Sequence, residues 1–298
     1  MAVIRTPEAR FAHLAGFPFQ PHYLELGGLR LHYLDEGQGE VIICLHGEPS
    51  WSYLYRKLIT PLARSYRVIA PDFIGFGRSD KLTGIGEYSF QLHRDTLAGF
   101  IVALGLEQIT LVAQDWGGLI GLRLAAELPE RFARLVIMNT GLPTGEQPMS
   151  EAFTNWREFA RRTPDLPIGQ VIRSGLAHPE EVAREVIAAY EAPFPDGSYK
   201  AGAAAWPTLV PIHPHDPGAE AMRRTRQALS RWQKPALVLF SDGDPITRGG
   251  DRFFRQLIPT VKDEPELVIQ DAGHFLQEEQ GEEIARQIAA FIARRPIR

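Results

Sequence analysis

The chain has 298 residues, 44% hydrophobic and 23% charged, which suits one large globular domain or one domain with a sizeable insertion. Its formal net charge is −4 and its basic residues are scattered, which argues against nucleic acid or an anionic membrane as a partner. The single cysteine, Cys44, cannot form an intramolecular disulfide, the start lacks a signal-like apolar core, and no run could span a bilayer, so a cytoplasmic protein is expected.

In chain order, LELGGLRLHYLDEG (24–37) reads as a hairpin turning at Gly27-Gly28. Six short apolar runs follow, EVIICLHG, YRVIAPDF, ITLVAQD, RLVIMNTG, ALVLFSDGD and ELVIQDAGH, typical of strands covered on both faces. Helical patterns lie between most of them, such as residues 90–106 and 119–128, and the chain closes on the amphipathic GEEIARQIAAFIARR. Such alternation predicts a mostly parallel sheet flanked by helices, with functional residues at the carboxyl ends of the strands. His46, Asp72, Asp115, Asn139, Asp244 and His274 all follow an apolar run. The alternation stops between about Gly141 and Arg226, where helical and Pro-rich segments replace strands. The predicted organisation is a main domain of residues 1–140 and 227–298 with a helical cap, residues 141–226, inserted after the sixth strand and lying over the strand ends.

Ala113-Gln114-Asp115-Trp116-Gly117 has the layout of a nucleophile elbow, a small residue, X, nucleophile, X, Gly between strand and helix, with a carboxylate where serine is usual. Asp115, then Asp244 in SDGDP, then His274 in DAGHF, give the order nucleophile, acid, histidine. Singly, each has a plain structural reading, such as a helix N-cap for Asp115; order and position together favour catalysis. Asp242 competes with Asp244 for the acid role, and motif spacing prefers Asp244. HPHD (213–216) reads as a solvated loop rather than a metal site, and DFIGFGRSD lacks the rest of a dinucleotide fingerprint, so neither metal nor organic cofactor is expected.

HGEPSWSYLYRK (46–57), APDFIGFGRSDK (70–81), QDWGG (114–118), YEAPFPDGSYKAG in the cap and DAGHFLQE (271–278) together resemble the haloalkane dehalogenases of the α/β-hydrolase superfamily. The resemblance implies hydrolysis of a short haloalkane to a primary alcohol and halide through an alkyl ester of Asp115. Saturated carbon offers no carbonyl for a serine to add to, and aspartate is already anionic at neutral pH. By the same resemblance His274 is the general base, Asp244 orients it, and the backbone N–H groups of Glu48 and Trp116 form the oxyanion hole. The halide would rest on the indoles of Trp116 and the cap residue Trp156, because Glu48 replaces the asparagine that some members use. Asn139, unable to be an anion, leaves Asp244 as the acid. Leu119, Phe153, Trp206, Pro207 and Ile246 match the family's pocket lining, and bulky Trp206 suggests a small cavity. The implied partners are haloalkane, water and halide, and the expected working unit is a monomer. Two rivals stay open: an epoxide hydrolase using the cap tyrosines Tyr190 and Tyr199, and a non-catalytic small-molecule receptor.

Overall fold

Gly27 and Gly28 both take positive φ, 60° and 83°, and close the hairpin of β1 (His22–Leu26) and β2 (Leu29–Glu36) where the glycine pair predicts it. The computed structural model, which describes residues 2–297, continues the sheet with β3 (Val41–Leu45), β4 (Arg67–Pro71), β5 (Ile109–Gln114), β6 (Phe132–Met138), β7 (Ala236–Ser241) and β8 (Leu267–Ile269). Their order across the sheet is β1-β2-β4-β3-β5-β6-β7-β8. β2 is antiparallel to β1 and β4, and every other pair is parallel.

Side chains along a strand point alternately to opposite faces, and the central strands are apolar on both. Ile43, Leu45, Leu111, Ala113, Leu135 and Ile137 enter one core, beneath the helices Phe90–Ala103 and Trp116–Glu127. Ile42, Cys44, Val112, Val136 and Met138 enter the other, beneath Arg56–Leu62 and Gly281–Arg294. Cys44 is thus a fully buried packing residue, its thiol pushed up by burial alone. The helix predicted over 90–106 ends at Ala103 because Gly105, with φ 59°, turns the chain out of it. A small ladder pairing Val3–Ile4 with Lys81–Leu82 and the short helix Gly250–Leu257 escape sequence reading because each is too brief to show a period.

Between β6 and β7 the described residues contain helices and no strand: Glu151–Arg162, Ile168–Ser174, Arg184–Glu191, Ala201–Leu209 and Ala219–Leu229. The boundary expected at 226/227 falls inside the last of these. That helix packs on Trp116–Glu127, against the sheet layer, because Met222 and Leu229 belong to the first core. No helix of the described residues is long and apolar enough to cross a membrane.

Candidate active site

β5 is buried along its whole length and delivers the chain to Asp115, whose φ of 50° and ψ of −123° lie outside the regions open to most side chains. The surroundings leave no other course. A Cβ on Gly117 would stand 2.1 Å from Leu45 O, one on Gly118 2.2 Å from Thr140 Oγ1, and one on Gly47 2.2 Å from Asp115 Oδ1. Asp115 N donates to Asn139 O (3.0 Å) and Thr140 Oγ1 donates to Asp115 O (2.6 Å), so the turn is braced from β6. The carboxylate therefore stands at the N-terminus of the following helix, where the backbone dipole favours an anion. Glu48 N donates to Asp115 Oδ1 at 2.8 Å. Trp116 N, in the first helical turn, has no acceptor among the described residues.

His274 approaches from the loop after β8. Its Nδ1 lies 2.9 Å from Asp244 Oδ2 and its Nε2 3.6 Å from Asp115 Oδ2. Asp244 is further held by Ile246 N (2.8 Å) and the Thr247 hydroxyl. Asp242 faces away and accepts from the backbone of Asp271 and Ala272 at 3.3 and 3.4 Å, so it is Asp244 that touches the ring. Burial disfavours a charged imidazole, yet Asp244 and then Asp115 outweigh it and raise His274 to about 10. Burial pushes Asp244 upward, but the facing His274 overrides it and holds the carboxylate below its ordinary value. Each member of the pair thus favours the charged form of the other.

Two amides fix the histidine loop that sequence reading did not single out for this role. Gln114 Nε2 donates to His274 O (3.1 Å) and lies 3.0 Å from His274 Nε2. Asn139 Nδ2 reaches Ser241 Oγ (2.8 Å), Gly273 O (3.1 Å) and His274 O (3.3 Å), while its Oδ1 accepts from Ser241 N. The usable signal was a polar amide at the end of a fully buried strand, a place costly to fill unless it is hydrogen-bonded. The cap reaches the same loop: His274 N donates to Gly175 O (2.6 Å), and Glu279 accepts from Gly273 N (2.7 Å) and His178 N (2.8 Å). Gly273 is needed here, because a Cβ would stand 2.4 Å from Gly175 O.

A cavity of about 420 Å³ opens at the strand ends. Asp115, His274, Glu48 and Trp116 line its inner end, and Leu119, Phe153, Trp156, Pro207 and Ile246 are in its walls. The indole N–H groups of Trp116 and Trp156 meet no acceptor among the described residues, whereas Trp51 donates to Ala189 O and Trp206 to His93 Nε2. Trp206 is not in the lining. It is fully buried behind Trp116, stacked at 4.8 Å and 22°, so the inference of a small cavity from its bulk loses its basis. It is drawn inward by His93, which burial lowers to about 3 and so keeps neutral as an acceptor. The Glu48 carboxyl is buried with neither oxygen hydrogen-bonded; burial, reinforced by Asp115, pushes it well above the usual carboxylate range. His46 and Asp72 serve the loops instead. Phe73 N donates to His46 Nε2 (3.1 Å), and Asp72 accepts from Ser52 N and Arg78 N beside His32.

A family model described as alpha/beta hydrolase fold matches residues 40–280. The haloalkane dehalogenase of Psychrobacter cryohalolentis is 48% identical over 304 residues, covering 99% of this chain and 100% of that one. That of Mycolicibacterium paratuberculosis is 48% identical over 98% of each chain. The solved structure of haloalkane dehalogenase DpaA from Paraglaciecola agarilytica matches with a TM-score of 0.90 at 37% identity, covering 97% of this chain and 98% of its own. DpaA is tetrameric, so that likeness lends nothing to the expectation of a monomer. With this identity sustained over almost the whole length, the chain belongs to the haloalkane dehalogenase family of the α/β-hydrolase fold.

Proposed function

We propose that the chain hydrolyses the carbon–halogen bond of haloalkanes through an ester on Asp115. The observation that carries this is the position of the Asp115 carboxylate. It sits at the inner end of a largely apolar cavity, one oxygen held by Glu48 N and the other facing His274. Oδ1 is engaged, so Oδ2 is the attacking atom. It displaces halide from the rear of the sp³ carbon, and the indole N–H groups of Trp116 and Trp156, which have no protein acceptor to give up, receive the leaving anion. Oδ1 becomes the ester carbonyl oxygen, already on the Glu48 N–H and within the turn that carries Trp116 N–H.

Alkylation cancels the charge on Asp115. Of the two carboxylates that raise His274, only Asp244 remains, so the imidazole releases its proton more readily and can act as a base. Neutral His274 then takes a proton from water, whose oxygen adds to the Asp115 carboxyl carbon. The oxyanion develops on Oδ1 against the two N–H groups, and collapse expels the alkoxide, which leaves as the alcohol carrying Oδ2. Water oxygen ends in Asp115, and the proton from His274 completes the alcohol.

The epoxide rival needs acidic donors at the cavity. Tyr190 OH donates a hydrogen bond to Glu278 (2.7 Å) within a buried Arg56–Glu278 pair, and neither Tyr190 nor Tyr199 is in the lining. A cytoplasmic monomer working without a cofactor completes the proposal; light scattering checks the monomer, since a mass above the 33.3 kDa of one chain rejects it. The mechanism is tested with His274→Ala and 1,2-dibromoethane. Expected is stoichiometric bromide release and a bromoethyl adduct on the peptide carrying Asp115. A folded variant that releases bromide with Asp115 unmodified removes the ester from the mechanism.

A further inference from the structure

The lining of the cavity carries charges of both signs. Its carboxyl groups, Asp115 of the elbow and Glu48 of the loop after β3, are adjacent through the Glu48 N–H bond to Asp115, whereas its two guanidiniums, Arg226 and Arg248, come from the helix Ala219–Leu229 and from the loop after β7. Leu142 and Phe253 stand against Arg226, and beyond Asp115 and Glu48 the lining holds no carboxylate.

Arginines elsewhere in the chain are commonly tied to acids, as Arg56 is to Glu278, Arg67 to Asp35 and Arg295 to Glu264. Arg226 is not. Its Nε donates to Leu142 O at 2.6 Å, and the guanidinium carbon lies 4.7 Å from the centre of the Phe253 ring. These two contacts fix the plane of the group. Its two terminal nitrogens have no acceptor among the described residues and are not sealed from solvent. Burial pulls this guanidinium below its ordinary value, with Glu146 pushing weakly back, while the other shifted arginines move upward on their partners. Glu146 is itself occupied by Arg223 and Thr144. Arg248, on the exposed loop, has no hydrogen bond or ion pair among the described residues. A half-buried, oriented guanidinium with both NH₂ groups free matches the fork of a carboxylate. Plain haloalkanes give it nothing to bind.

We propose that the preferred substrates are haloalkanes with a carboxylate at the end remote from the halogen, Arg226 gripping that carboxylate and Arg248 adding attraction at the mouth. This rests on the dehalogenase reading above. The opposite charges of Asp115 and Arg226 orient the molecule: the carboxylate is repelled by the first and held by the second, which leaves the halogen-bearing carbon facing the nucleophile. Asp115 forms the ester and expels halide, water cleaves the ester, and the net change is ω-halocarboxylate plus water to ω-hydroxycarboxylate, halide and a proton.

The test compares halide release from 3-bromopropanoate, 5-bromopentanoate and 7-bromoheptanoate with that from their methyl esters, which match in length and lack the charge. The expected result is a kcat/KM ratio of acid to ester of about tenfold or more at one chain length, carried by KM. That ratio should fall toward one in Arg226→Gln, recover in part in Arg226→Lys, and drop less in Arg248→Gln. In the wild-type protein it should also shrink as salt rises from about 0.05 to about 0.5 M, a reading that needs no variant to fold. The proposal is overturned if the esters and 1-bromobutane are turned over while the acids are not preferred at any length. It is equally overturned if the preference survives Arg226→Gln, or if that change alters only inhibition by bromide, which would make the arginine a passage for halide. Failure of the acids, the esters and 1-bromobutane alike removes the dehalogenase reading itself.

Discussion

The loops at the strand ends and the cap both face the cavity, but they are built under different constraints. At the strand ends each side chain answers to a fixed backbone: Asp115 sits at positive φ, Gly117 and Gly118 have no room for a Cβ, and His274 is held through its own carbonyl by Gln114 and Asn139. The cap contributes shape. Phe153, Trp156, Pro207 and Val210 wall the cavity as side chains of helices or their ends, and Trp156 stays partly exposed. A chemical step tolerates displacements of a fraction of an ångström, whereas a wall tolerates many side chains of similar volume. Changes at the strand ends should therefore affect rate, and changes in the cap should affect what binds and how tightly.

Asp244→Asn tests the first half of that contrast and should have the largest effect. The amide keeps the shape but removes the charge that most raises His274, so the imidazole titrates lower and the wrong tautomer is stabilised. Turnover should fall by about 10³ to 10⁴, while a pre-steady-state burst of one halide per site is retained because Asp115 still alkylates. Loss of the burst together with turnover would mean that Asp244 supports the nucleophile rather than the base. The same ion pair links to stability. His274 is raised in the folded state, so its contribution is fully present below the ordinary histidine value of about 6.5 and is lost as pH rises toward about 10. Wild-type Tm should drop across that window more than Tm of Asp244→Asn.

This contrast also explains what the sequence discloses. The hairpin, the strands and the elbow are legible because glycine at positive φ or where no Cβ fits, and unbroken apolar runs, are local consequences of the fold; ELVIQDAGH departs from the expected two-sided burial, since β8 is the edge strand and Val268 is exposed. Asp115, Asp244 and His274, far apart along the chain, meet because each follows a strand of the parallel sheet, directly for Asp115 and through a short loop for the other two. Trp206 and Pro207 are neighbours on one helix and match the family's lining equally well; only packing shows Pro207 at the cavity and Trp206 turned onto His93. The cap's limit at 226 is likewise invisible, because Ala219–Leu229 has a helical pattern whichever layer it packs on. Gln114 and Glu279 act through backbone atoms of a distant loop, contacts that a linear motif does not encode.

A pair of tryptophan changes sharpens the cap side. Trp156→Phe keeps a ring in the wall and removes one donor, so bromide affinity, read from product inhibition, should weaken by roughly 10- to 100-fold. Trp206→Phe removes a donor already committed to His93 (2.6 Å). It should leave bromide affinity within about threefold but lower stability by about 1 to 3 kcal/mol in urea unfolding, because His93 Nε2 is left buried without a partner. If Trp206→Phe weakens bromide as much as Trp156→Phe, the division between wall and backing layer is wrong.

Glu279 is where the two regions meet, and the effect expected there is the smallest. Its carboxylate accepts from Gly273 N in the histidine loop and from His178 N in the cap, beside the bond from His274 N to Gly175 O. Glu279→Ala frees both N–H groups without touching the cavity, since Glu279 is absent from its lining. If the cap helps to set the position of the base, ester hydrolysis should slow by about three- to tenfold while the halide burst keeps its rate and amplitude. Glu279→Gln, which keeps one accepting oxygen, should recover part of the loss. A lowered Tm with unchanged ester hydrolysis would instead make this contact a fastening of the cap alone, and would confine control of His274 to Gln114, Asn139 and Asp244 on the sheet side.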